Sequence, residues 1–128
     1  MAPVIIDNLH KFGLEFQVKI IAGILTDKVF LERVVDIIDV EAFENESHRW
    51  ILKEIIQYHI QYKDLPTFQV FKVRIVTIEN EEFKAAITEQ LRSVHAKISE
   101  KDLQFVREQF LEFCKNTLRI TTFNSSQS

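Results

Sequence analysis

The sequence predicts an all-α fold, a compact bundle of about six helices, and three observations carry that expectation. Its 128 residues include only two glycines and two prolines, too little turn chemistry for the many reversals of a sheet protein. Apolar residues recur at three- and four-residue steps along most of the chain, the period of a helix buried on one side. Asp27, Asn45, Thr67 and Ser99 each stand just ahead of such a periodic stretch. Their short polar side chains can accept a hydrogen bond from a first-turn N–H.

In chain order, residues 1–13 are expected to form an N-terminal arm, with Val4, Ile5 and Ile6 available for docking. The first helix covers 14–25, where Phe16, Ile20, Ile21, Ile24 and Leu25 fall mostly at helical spacing, with Gln17 beside them. Gly23 lies inside this helix at a cost of about 1 kcal/mol relative to alanine. Close approach of a second helix is the expected compensation. The second helix runs over 27–38, with Phe30, Val34, Ile37 and Ile38 inward.

The stretch 41–66 is expected to organise the rest. Asn45 caps it, and Glu46 places negative charge where the helix dipole favours it. His48, Ile51, Leu52, Ile55, His59 and Tyr62 share one face, and Lys53, Glu54, Gln57 and Gln61 fill the other. The helix stops at Asp64-Leu65-Pro66. Residues 67–78 read two ways. Phe71, Val73 and Ile75 alternate with Lys72 and Arg74 as in a strand, whereas Phe68, Phe71 and Ile75 stand at helical spacing behind a Thr67 cap. A lone strand would lack a pairing partner, so a helix is expected. From about Asn80, Phe83, Ile87, Leu91, Val94 and Ile98 make the next amphipathic helix.

The last helix is expected over 100–121, started by Ser99-Glu100-Lys101-Asp102, a looser relative of the capping box. Leu103, Val106, Phe110, Phe113, Thr117 and Ile120 follow the a/d spacing of a coiled-coil seam. Leu111 and Leu118 form a second stripe, and Phe105 lies off both. A helix that is apolar on several sides needs several partners. That pattern suggests either an oligomer interface, for which Leu103, Val106, Phe110, Phe113 and Leu118 are the expected stripe, or a next element missing from this sequence, and residues 122–128 read as a polar, fraying tail. The organisation expected is thus an extended arm (1–13), a helical head (14–98), a last helical segment (99–121) and the tail (122–128).

Composition limits the function classes. The formal charge is −3, with −4 on residues 1–64 and +1 on the remainder, so neither half has the basic footprint of strong direct DNA binding. The single cysteine, Cys114, forms no internal disulfide and suits a reducing cytoplasm. No run has the length of a membrane span, and the N-terminus lacks the pattern of a signal peptide. Nucleotide-cradling glycine loops and metal-protease or hydrolase motifs are absent, so no catalytic residue, cofactor or metal is expected. His48 and His59 share a helix face about 16 Å apart, too far to share a metal ion. Cys114, beside Phe113, reads as a small buried hydrophobe.

The order of landmarks resembles the N-terminal domain of DnaB-type replicative helicases, in particular the T-even-like phage branch. The carriers are Phe16-Gln17-Val18-Lys19-Ile20-Ile21-Ala22-Gly23-Ile24-Leu25, then Asp27-Lys28-Val29-Phe30, and then Glu41-Ala42-Phe43 with His48-Arg49-Trp50-Ile51. Tyr62, Pro66-Thr67 and Val106-Arg107-Glu108 complete the series. The match covers roughly residues 14–120, and Gln17, Gly23, Phe43, His48 and Ile51 are its structural signature. This resemblance implies a helical head followed by a helical hairpin, with residues 99–121 its first arm and the returning arm not seen in this sequence. It further implies subunits assembled into a hexameric ring, and docking of primase and, in some systems, a helicase loader. The ATPase motor would lie C-terminal to such a collar, so this chain itself would be non-catalytic; if phage-encoded, it would act in the host cytoplasm. The rival expectation is a stand-alone helical adaptor or regulator that binds a partner helix through Phe110 and Phe113. A third, an enzyme using Cys114 or a histidine, has no base–nucleophile pair to support it.

Overall fold

A computed structural model describes the backbone of residues 9–127 and the side chains of residues 9–117. Among these every regular element is helical: α1 (Leu14–Leu25), α2 (Lys28–Val34), α3 (Glu46–Tyr62), α4 (Phe68–Ile75), α5 (Glu81–Lys97) and α6 (Leu103–Gln127). Two short 3₁₀ helices, Leu9–Phe12 and Val40–Ala42, precede α1 and α3.

Local chemistry sets most boundaries. The side chains of Asp27, Asn45, Thr67 and Asn80 accept hydrogen bonds from Phe30 N, Ser47 N, Val70 N and Phe83 N at 3.1, 2.7, 3.3 and 2.9 Å. Each satisfies one of the orphan first-turn donors. α1 has no side-chain cap; the chain enters it through Gly13 at φ 86°, a conformation that glycine adopts without strain. α3 ends on Lys63, which closes it in the left-handed region at φ 58°. Residues 67–78 contain a helix, as expected, with Phe71 and Ile75 buried.

Three expectations are corrected. Residues 9–12 are not an extended arm: they form a 3₁₀ turn with Leu9 fully buried, while residues 1–8 lie outside the described residues. α2 is shorter than 27–38, since after Val34 the chain passes into turns, with Ile37 and Ile38 half-buried. Ser99 does not cap α6. Residues 98–102 form turns, Val106 N donates to Asp102 O at 3.0 Å, and Lys19 Nζ draws the Asp102 carboxylate to α1 at 2.9 and 3.2 Å.

The helix at the centre is α1 rather than α3. Gln17, Val18 and every residue from Ile20 to Ile24 are buried, and α1 packs on α2, α3, α5 and α6. A helix that is apolar nearly all round has to be enclosed. α6 supplies the largest wall. Its Phe110 meets Phe43 edge-on at 5.8 Å, lies 6.5 Å from Phe30 and stacks on Phe113 at 6.3 Å. Phe113 meets Phe12 at 6.3 Å, and Phe12 stacks on Phe16 at 4.9 Å. Such ring pairs add about 0.5–1.5 kcal/mol each beyond area burial. Phe12, Phe16, Phe30, Phe43, Phe110 and Phe113 therefore form one connected spine.

Candidate functional site

Two polar clusters tie α1 to its neighbours, and a third polar group, His48, is buried in α3. At the N-terminal end of α1, Gln17 is fully buried and makes three hydrogen bonds. Its Nε2 donates to Leu9 O at 3.1 Å and to Glu44 Oε1 at 3.0 Å, while its Oε1 accepts from Glu44 N at 3.2 Å. His10 Nδ1 also contacts the Glu44 carboxylate. These hydrogen bonds, from His10 first and Gln17 second, hold the Glu44 carboxyl below its ordinary range. One amide thus ties the entering chain to the strap ahead of α3.

At the other end, Gly23 is where α6 comes closest. A Cβ there would stand 3.2 Å from Arg107 Cγ. The space belongs to Arg107, whose Nε donates to Gly23 O at 3.0 Å and whose Nη2 donates to Thr26 Oγ1 at 2.8 Å. Its Nε is also 3.7 Å from the Asp27 carboxylate. The Arg107 side chain is 14% exposed, so its guanidinium is held largely inside the α1–α2–α6 junction. Nothing in the spacing of charges singled out this arginine as a clamp; its signal was the glycine opposite.

His48 is buried in α3. Its Nε2–H donates to Gln90 Oε1 at 2.7 Å, while Nδ1 has no partner. Burial pushes its pKa down, and the Gln90 bond acts in the opposite direction. The imidazole is therefore neutral at neutral pH. Ile51 is fully buried one turn on. His59 lies beside Glu32 at 3.9 Å, and Tyr62, expected on the inner face, is 57% exposed. Cys114 is 1% exposed, and its thiol pKa is pushed up to about 12, first by burial and then by Asp39. A thiol held protonated in this way is a poor nucleophile. Among the described residues no three His, Cys, Asp or Glu side chains come together to hold a metal ion. No helix among them is long and apolar enough to cross a membrane.

The proposed interface stripe is corrected. Leu103, Val106, Phe110 and Phe113 are 1–5% exposed because they pack inside the same chain. They offer no surface to a second subunit, or to a partner helix, while the head is folded. Leu118 lies outside the described side chains. The large apolar and aromatic side chains that do reach the surface lie elsewhere: Phe105 on α6, Leu14 on α1, Val29 on α2, and Ile60, Tyr62, Val73 and Val76 around α3 and α4. α4 is flanked by two grooves. One, against α3, is walled by Tyr58 and Tyr62, whose rings are 4.6 Å apart, together with Val70 and Val73. The other, against α5, has Phe68, Ile75 and Leu91 in its floor and Lys72, Arg92 and His95 on its rim.

No known protein family, curated protein or solved structure matches this chain.

Proposed function

We propose that this chain is the N-terminal collar domain of a DnaB-type replicative helicase, of the T-even-like phage branch. Its role is to order helicase subunits into a hexameric ring and to offer a docking surface for primase and, in some systems, a loader. It carries no catalytic residue or cofactor of its own; ATP hydrolysis and strand separation belong to a motor further along the parent protein. It acts in the cytoplasm, that of the host if the gene is a phage gene, and makes no strong DNA contact by itself.

The observation that supports this reading is where the resembling residues meet. Gly23 comes from the first motif, Asp27 from the second and Arg107 from the last, and all three converge on one buried guanidinium. Phe30 and Phe43, from the second and third motifs, both pack on Phe110, one turn beyond Arg107. Four of the sequence features quoted for the resemblance thus meet in one packing unit, which supports the reading, while Tyr62 stands apart from it at 57% exposure. Fold likeness alone does not carry function, so the test is functional. In isothermal titration with the C-terminal domain of the primase from the same genome, saturable binding supports the collar. Absence of heat with both this folded chain and the full-length protein rejects it.

A further inference from the structure

We propose that the groove between α4 and α5 is a docking site for an acidic amphipathic segment of a partner protein, a helix that presents apolar side chains between carboxylates. This inference stands apart from the helicase reading and rests on three features of the groove.

The first is its charge. The chain carries −3 overall, yet the charged side chains lining this groove are Lys72 and Arg92, with no carboxylate among the lining residues. Arg74, the other cation of α4, lies on the opposite groove and pairs with Glu54 at 3.1 Å, so the charge of this groove rests on Lys72 and Arg92. Among the described residues Lys72 has no ion pair. Arg92 pairs only with Glu89, one turn away on its own helix at 2.9 Å, with both side chains about two-thirds exposed. A pair so exposed is worth at most about 1 kcal/mol, so a partner carboxylate can displace it.

The second feature is the floor. The groove encloses about 420 Å³, Phe68, Ile75 and Leu91 are its apolar lining, and His95 stands edge-on to the Phe68 ring at 4.9 Å. A cationic rim around an apolar floor selects a ligand that has both characters. Two of the three apolar lining residues, Ile75 and Leu91, are aliphatic and offer nucleobases no ring to stack on, which favours a peptide over a single-stranded nucleic acid. The third feature is shape: the groove runs between two helices, the setting in which a third helix inserts its apolar face.

The test uses a fluorescein-labelled synthetic helix with leucines at i, i+3, i+4 and i+7 and glutamates at most other positions. Two comparison probes accompany it, a peptide of the same composition in scrambled order and a single-stranded oligothymidylate. Fluorescence anisotropy gives affinity, and amide chemical shifts give location. The expected result is saturable binding of the patterned peptide alone, with shifts centred on Phe68, Lys72, Ile75, Leu91, Arg92 and His95. The double variant Lys72→Glu/Arg92→Glu should weaken binding by about tenfold or more while its circular dichroism spectrum and melting curve stay unchanged, equivalent to about 1.4 kcal/mol. Failure to saturate, equal binding of the scrambled peptide, or an affinity unchanged in the folded double variant would each overturn the proposal. So would shifts confined to the Tyr58–Tyr62 side of α4. Oligothymidylate binding at these residues in place of the peptide would overturn it too, and would reassign the face to nucleic acid.

Discussion

Replacing Gln17 with methionine isolates the polar tie at the entrance of α1. The two side chains have similar length and volume, so the change removes hydrogen bonds without opening a cavity. Three bonds are lost, two donated to Leu9 O and Glu44 Oε1 and one accepted from Glu44 N. The cost is unevenly spread. Glu44 lies at the surface, where water replaces what Gln17 gave, whereas the Leu9 carbonyl belongs to a fully buried residue. A neutral hydrogen bond is worth about 1 kcal/mol net, and a buried polar group left unpaired costs about 1–3 kcal/mol. Methionine returns part of this through its apolar surface, which leaves an expected loss of about 2–3 kcal/mol. Urea unfolding followed by far-ultraviolet circular dichroism measures it, with an unchanged m-value showing that the two-state comparison holds. A loss below about 0.5 kcal/mol would refute the reasoning, because the buried amide would then be no better than a thioether. Gln17→Glu adds a check on polarity: a second carboxylate beside Glu44 should destabilise more at neutral pH, with partial recovery on acidification as it takes up a proton.

Phe43→Ala should cost about 3–5 kcal/mol in the same titration, because the ring is fully buried against Phe110; a loss under about 1 kcal/mol would mean the site collapses or is misplaced. His48 sets an acid limb. Its folded pKa lies below the ordinary 6.5, so below that pH the unfolded chain takes up a proton that the folded chain resists. Stability is therefore full above about pH 6.5 and falls as pH drops towards the lowered folded value, and His48→Gln should flatten this limb. The lowered carboxyls of Glu44 and Asp102 contribute further down, where protonation removes their hydrogen-bonded anions. Cys114 should resist a disulfide-exchange reagent such as Ellman's in the native chain and react promptly in denaturant, as its burial and raised pKa require; rapid native labelling would show that the α6 wall opens.

Much of the fold was legible because local signals and helical period agree. Asp27, Asn45 and Thr67 cap as their chemistry indicates, and the ambiguous 67–78 stretch resolves to helix. Tertiary competition was not legible. Ser99 has a good capping pattern, yet Lys19, eighty-three residues before Asp102, claims the carboxylate the start signal relied on. The rank of the helices was misread for a similar reason. The clean two-faced pattern of α3 marks a helix at the edge of a core, whereas the less regular, almost uniformly apolar α1 is the one enclosed. Gly23 was the most informative single residue. Its cost within a helix pointed to close approach, and the approaching group proved to be a charged side chain from α6. The α4–α5 groove left no sequence signal, since Lys72 and Arg92 come together only when two helices pack.

The inward turn of the α6 stripe decides how assembly should be tested. An a/d pattern reports that one helix face is buried, not by which chain. Here Leu103, Val106, Phe110 and Phe113 are spent on the chain's own core, so a polar substitution among them should unfold the head instead of freeing a subunit. Phe110→Ser removes a ring that is 1% exposed and touches three other phenylalanines. It should cost about 3–5 kcal/mol, a large share of a small domain's total stability. Phe105→Ser, on the same helix but with its ring 57% exposed, should change stability by less than about 1 kcal/mol. Thermal melts and light-scattering mass on both variants separate the two roles. A Phe110→Ser chain that stays folded and only loses mass would refute internal packing and restore the stripe as an interface. If the proposed ring assembly holds, a parent protein carrying Phe105→Ser that stays folded but no longer assembles would place the contact on the outer side of α6, the side outside the heptad stripe.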